Sequence, residues 1–273
     1  MPAIELARLK IQAAHLAETF GEPDVFVQAL DELLNFYTNR TIRSTQVAQR
    51  ISVPTYRTPR PVIRQIESEL AVLAEKQPDK AITLSDALWK ADSLEARLLA
   101  AFLLGNIPSD QAIHALTRLP VWLNQAKDKE VRSALLSEAL ARLRREQPEA
   151  FFSILEGWLQ SPQATMQVWG LQALIPLLEE PQFENLPAVF RIMRPAIVAV
   201  GPATQLDFQA CLHALERLSL TETTAFLREI ILTNPEPGML RIFRRILPGL
   251  SPELQEALRE TLRAQNSQAS ASQ

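Results

Sequence analysis

Apolar residues recur at helical spacing along most of the chain. Ile63, Ile66, Leu70 and Leu73 form one stripe. Val131, Leu135, Ala139 and Leu143 form a second, Val168, Leu171, Ile175 and Leu178 a third, and Phe208, Cys211, Leu212 and Leu215 a fourth. Leu254, Leu258 and Leu262 form the last. Steps of three and four place each set on one face of an α-helix. Nothing alternates with period two over a useful length, so no β-sheet is expected.

The prolines punctuate this pattern. The chain has 19 prolines and 7 glycines. Proline inside a helix costs about 3 kcal/mol, whereas at the first helical position its missing N–H is not needed. Ser161-Pro162, Gln147-Pro148-Glu149, Asn234-Pro235 and Ser251-Pro252-Glu253 read as a cap, then such a proline, often followed by an acid. Asp92 with Glu95 reads as a capping box, with Gly105 and Pro108 at the far end of that helix. Helix starts are expected near residues 129, 148, 163, 184, 203, 221, 236 and 250. Two helices then take roughly 35–40 residues, the period of HEAT-type hairpins. Such hairpins bury their remaining apolar faces by stacking. The expected fold is all-α, a HEAT-like (armadillo-like) α-solenoid of stacked antiparallel helix pairs over residues 1–264. The polar stretch 265–273 is expected to be disordered.

Composition narrows the setting. The single cysteine, Cys211, permits no intrachain disulfide, which fits a reducing compartment. The first ten residues hold Glu5, Arg8 and Lys10 and lack the apolar run of a secretory signal. The longest strongly apolar stretch, Leu98 to Leu104, is far short of a membrane span. A cytoplasmic protein is expected, without a membrane partner.

Charge is unevenly placed. From Leu33 to Ile66 there are six arginines (Arg40, Arg43, Arg50, Arg57, Arg60 and Arg64) and no lysine, aspartate or glutamate. The chain as a whole carries −3, so the remainder carries −9. Arg60 and Arg64 lie about a helix start, where the macrodipole disfavours cations. The segment reads either as a phosphate-binding patch, suited to the forked guanidinium, or as a solvated surface offsetting acidic neighbours. Two further arginine groups, Arg241/Arg244/Arg245 and Arg142/Arg144/Arg145, fall late in helices, where cations complement the dipole.

Other chemistry is sparse. Of the four tryptophans, Trp89 and Trp158 read as core. Trp122, beside a proline in a helix connection, and Trp169, beside Gly170, are the candidates for stacking on a ligand, with packing as the alternative. His15, His114 and His213 have no metal-ligand spacing, and phosphate-loop, dinucleotide and nucleophile-elbow signatures are absent. No metal or cofactor is expected.

Two segments carry a resemblance. In Arg57 to Leu70 a proline is followed three residues later by an arginine at a helix opening, Pro61 and Arg64. In Ala87 to Gly105 a helix pair carries Leu88, Trp89, Glu95, Arg97, Leu99 and Ala100. This pattern resembles the DNA alkylation repair family, HEAT-like-repeat alkylpurine DNA glycosylases. The resemblance implies a basic groove that holds duplex DNA by its backbone. It also implies a catalytic Trp-Asp-x-x-Asp element, whose aspartate stabilises a cationic sugar as the base leaves, and an arginine on a later helix. Here the corresponding positions are Lys129, Glu130 and Ser133, and the later arginine falls near Val168. The chain thus resembles a divergent member that binds DNA without excising bases. Asp128 and Glu130 are the acids an active enzyme would have to use. A protein-interaction scaffold is the further alternative.

Overall fold

The computed structural model describes residues 5–38, 53–198, 200–233 and 237–271. Among them every regular element is helical and no strand occurs. They divide into two compact units, Met1–Pro148 and Glu149–Gln273.

The first unit holds α1 (Leu6–Glu18), α2 (Pro23–Tyr37), α3 (Arg60–Lys76), α4 (Pro78–Lys90), α5 (Leu94–Asn106), α6 (Ser109–Leu116), α7 (Leu119–Gln125), α8 (Lys129–Ser137) and α9 (Ala141–Glu146). α1 packs on α3, α3 on α5 and α5 on α8, while α2 packs on α4 and α4 on α5. Each early helix therefore meets the helix two places along as well as its hairpin partner. That order is compatible with stacked helix pairs.

α5 is the centre of this unit because it is apolar almost all round. Leu99, Ala100, Ala101 and Leu103 are fully buried. Its last turn comes so close to the following chain that only glycine fits. A Cβ at Gly105 would lie 1.9 Å from the Glu138 carbonyl oxygen. The same spot is where α8 ends. The Ala139 N–H donates five residues back, to Ala134 O at 3.2 Å, and the chain turns before α9. The stripe Val131, Leu135, Ala139 and Leu143 is buried as expected, but two short helices carry it rather than one.

The second unit holds α10 (Pro148–Leu159), α11 (Ala164–Leu178), α12 (Leu186–Val198), α13 (Gln205–Leu218), α14 (Leu220–Thr233), α15 (Pro237–Ile246), a 3-10 turn (Leu247–Gly249) and α16 (Pro252–Ala271). α11 packs on α13, α13 on α14 and α14 on α16. Phe208, Cys211, Leu212 and Leu215 are fully buried on α13, and Leu254, Leu258 and Leu262 are buried on α16.

The eight helix starts expected from residue 129 onward each fall within two residues of an observed start. Proline occupies the first or second position of α2, α3, α4 and α7. Two details differ. On α3 the buried line is Val62, Ile66, Leu70 and Ala74, with Ile63 and Leu73 only half-buried. Steps of four select a slightly rotated face from the one the apolar residues suggest. α16 runs to Ala271, carrying helix into the tail expected to be disordered. Once Leu254, Leu258 and Leu262 anchor the first turns, each added residue needs only propagation, not nucleation.

Gly105→Ala is expected to destabilise the protein by about 1–3 kcal/mol, because the obstacle is backbone. Gly170→Ala should cost less, since its nearest obstacle is the Leu159 side chain at 2.8 Å. Urea unfolding of the two variants side by side tests the difference.

Candidate nucleic-acid interface

Of the six arginines in the basic segment, Arg40, Arg43 and Arg50 lie outside the described residues. Arg57, Arg60 and Arg64 are described, and all three are exposed. Arg57 sits in the loop entering α3, Arg60 is the first residue of that helix, and Arg64 follows one turn later on the same face.

The loop that leads into α3 is held by one buried side chain. Glu95, on the first turn of α5, is 5% exposed. Its carboxylate accepts from the Thr55 hydroxyl at 2.9 Å, from the Tyr56 N–H at 3.2 Å and from the Thr58 N–H at 3.4 Å. The Leu94 N–H reaches back to the Pro54 carbonyl at 2.8 Å. On the other side the Tyr56 hydroxyl donates to Asp31 of α2. The Arg57 N–H donates to Thr55 Oγ1 at 3.1 Å. Between these anchors Arg57 adopts φ 52°, a left-handed value that among the described residues no other non-glycine has. A non-glycine residue keeps such a backbone only where its surroundings over-determine it.

Glu95 therefore does not complete a capping box. The N-cap of α5 is Ser93, whose Oγ accepts from the Ala96 N–H at 3.3 Å. The sequence did carry a signal: Glu95 is the only acid in a helix that is otherwise apolar apart from Arg97 and Asn106. An acid so placed needs donors from elsewhere.

Arg97, two residues on, lies with its guanidinium carbon 5.3 Å from the Trp89 ring centroid. Its Nε finds no hydrogen-bond partner among the described residues, and the ring face compensates. Trp89 in turn stacks on Trp122 with centroids 4.5 Å apart and planes 3° from parallel. The Trp89 indole N–H donates to Gln125 at 2.8 Å. This corrects the expectation for Trp122, which is 5% exposed and committed to packing. Trp169 is likewise buried, at 3%, edge-on to Trp158 with centroids 6.1 Å apart. The proline and glycine neighbours that made them look accessible instead allow close packing: a Cβ on Gly170 would press into Leu159.

The positions where the resemblance places catalysis are plain. Lys129, Glu130 and Ser133 are exposed on α8, and Val168 is half-buried on α11. Asp128 is at the N-cap position of α8 and 8% exposed. Cys211 is fully buried, its thiol bonded to the Leu171 carbonyl at 3.1 Å and its pKa pushed up by burial, so it is no nucleophile. No group of three potential metal ligands occurs among the described residues. No described helix is long and apolar enough to cross a membrane.

The Arg142 group is structural. Arg142 donates to Glu146 at 2.8 Å, to the Asn106 carbonyl at 3.1 Å and to Glu75 at 3.2 Å, and so closes the end of α5. Arg144 donates to the Ser137 carbonyl at 3.3 Å.

A family model described as "DNA alkylation repair enzyme" matches residues 33–197, well over half of the 273. No curated protein matches the chain. The matched span takes in the basic segment, the anchored loop and all of α5.

Glu95→Ala is expected to cost about 1–3 kcal/mol, because several donors would be left without their buried acceptor. It should also speed amide hydrogen exchange at Tyr56 and Thr58 ahead of the α3 interior. Equal protection at those two amides in the variant would remove Glu95 as the anchor. The Tyr56 hydroxyl offers a second test. Burial and its bond to Asp31 push its pKa up from 10 to about 12. A raised folded pKa means that the neutral form is favoured by folding, so this stabilisation is complete below pH 10 and is lost as pH rises through 12. Ultraviolet titration of wild type against Tyr56→Phe should reveal one phenol ionising late.

Proposed function

The chain belongs to the DNA alkylation repair enzyme family, and on that premise we propose that it holds duplex DNA by the phosphate backbone without excising bases. The observation that carries the reading is the mounting of Arg57, Arg60 and Arg64. Three exposed guanidinium groups stand on a loop and helix start anchored to α2 and α5. A cation at a helix N-terminus is unfavourable for the helix itself. Arg60 and Arg64 accept that cost, and a bound phosphate would reverse it, since helix N-termini favour anions. A rigid mount also means that little ordering entropy is lost when phosphate binds. Arg40, Arg43 and Arg50 extend the same run of charge along the chain and are assigned to the same role.

The residues at the start of α8 support the reading without excision. An acid that stabilises a developing sugar cation must meet it away from water. Glu130 and Ser133 are open to solvent and Lys129 brings the wrong sign; of these positions only Asp128 is sheltered, and it is the acid an active enzyme would have to use. A cytoplasmic location accords with the one buried, reduced cysteine.

Fluorescence anisotropy with duplex DNA across a salt series tests the binding. Log affinity should fall linearly with log salt, at about 0.9 per phosphate neutralised. The triple variant Arg57→Gln/Arg60→Gln/Arg64→Gln should flatten that slope by about 0.9 for each phosphate it no longer neutralises. No binding at low salt, or an unchanged slope, ends the reading; capture of a stoichiometric protein partner at this face would favour a scaffold instead. Single-turnover assays on alkylated duplex should release no 7-methylguanine above background. Release that disappears in Asp128→Asn or Glu130→Gln would replace the proposal by an active enzyme.

A further inference from the structure

An open cleft of about 570 Å³ runs between α12 and α14 in the second unit. Pro187, Phe190, Arg191 and Arg194 line it from α12. Glu222, Ala225, Phe226 and Glu229 line it from α14. On each helix the spacing is i, i+3, i+4 and i+7, so each turns a single face to the cleft. Phe190 stacks on Phe226 across the gap, with centroids 4.4 Å apart and planes 17° from parallel. The Arg194 guanidinium lies 5.8 Å from the Phe226 centroid and donates to Glu229 at 2.9 Å. Arg191 donates to Glu156 of α10 at 3.0 Å.

Charge in the cleft is sorted by wall. α12 contributes two arginines and α14 two glutamates. The signs cancel, so the cleft has no pull on a polyanion. It is a different kind of surface from the entry to α3. The ion pairs do not close it. The side chains of Arg191, Arg194 and Glu229 stay 56%, 42% and 56% exposed. A guanidinium also has more donors than one carboxylate uses, so Arg191 and Arg194 can each serve a second acid while keeping the first.

α14 carries a ridge beside this cleft. Glu222, Ala225, Glu229 and Leu232 are all exposed and follow one another in steps of three, four and three. That mean spacing of about 3.5 is the one at which a helix seats along its neighbours. Ala225 is small enough to let another helix come close. Leu232, 54% exposed, supplies apolar surface at the end of the ridge.

We propose that this face pairs with the same face of a second copy of the chain. The α14 ridge of one copy lies in the α12–α14 cleft of the other, and the reverse, as a two-fold axis requires. Charge complementarity selects this occupant. Glu222 and Glu229 of the entering ridge meet Arg191 and Arg194 of the opposite wall. With two of each sign per copy, the pair brings four arginines and four glutamates together. The α12 row, offered to the same cleft, would set guanidinium against guanidinium, so the charges fix which helix enters. Ala225 then passes over the Phe190–Phe226 stack. The face shares no residue with Arg57, Arg60 and Arg64 and does not rest on the backbone-binding reading.

Sedimentation velocity of the full chain over a dilution series, without DNA, tests the pairing. A monomer–dimer equilibrium that stops at the dimer is expected, because a two-fold contact is closed. Arg194→Glu and Glu229→Arg should each raise the dimer dissociation constant by at least about tenfold, since like charges then face one another. The exchange Arg194→Glu/Glu229→Arg restores opposite signs within the chain and across the axis, and should recover most of the association. Leu232→Lys breaks no ion pair and stands at an exposed site. It should weaken the dimer with an unchanged circular dichroism spectrum, so the outcome does not hinge on how the charge variants fold. Arg57→Gln/Arg60→Gln/Arg64→Gln should leave the dimer as it is. A monomer at the highest soluble concentration, including one whose cleft is taken by a different protein, would overturn the proposal. So would growth beyond the dimer, or a dimer indifferent to Arg194→Glu, Glu229→Arg and Leu232→Lys alike.

Discussion

A carboxylate taken out of water must be compensated by several donors, or it becomes the most costly group in its surroundings. Glu95 meets that requirement with three donors drawn from a single short loop. The dependence runs in both directions. Without the loop the acid at the head of the central helix loses its partners. Without the acid, Tyr56 and Thr58 lose the acceptor of their N–H groups and Thr55 that of its hydroxyl, and nothing dictates the left-handed backbone of Arg57. The entry to α3, and with it the placement of Arg60 and Arg64, follows from this one exchange.

The rest of the family-like motif works to the same end. Leu88, Leu99 and Ala100 are fully buried, and Trp89 nearly so. Arg97 covers Trp89, Trp89 stacks on Trp122, and Gln125 accepts from the indole N–H. These interactions tie α4, α5 and α7 together. Leu88, Trp89, Glu95, Arg97, Leu99 and Ala100, the second group of residues that carry the resemblance, hold the scaffold and are buried or half-buried in it.

The helical register was readable because it is a local property. Spacing and proline position place helix starts to within two residues. The stripes on α13 and α16 are the buried faces. What was not readable depends on partners far apart in sequence. Glu95 finds Thr55 some forty residues back, and Trp122 finds Trp89 more than thirty residues back. A neighbouring proline or glycine does not reveal whether a tryptophan is covered, because the cover comes from another helix. The break between α8 and α9 was hidden for the same reason: it answers to Gly105 on α5, not to any breaker within the stripe. Of the candidate site, the arginines were legible as a run of one sign, whereas their mount was not.

Holding a phosphate backbone and excising a base make separate demands on a protein. The first needs exposed cations on a support that does not give way, and local field matters more for it than net charge. On the proposed reading a chain at −3 meets it by concentrating arginine in one segment. The second needs an acid sheltered from water yet in contact with a sugar. In this chain the loop bearing Arg57 is assembled by α2, α3 and α5, and the donors described to Glu95 come from the loop before α3. Lys129, Glu130 and Ser133 are exposed on α8, away from the donors that hold Glu95. On the proposed reading, a member of the family keeps in this way the means to grip DNA without the means to cut a glycosidic bond.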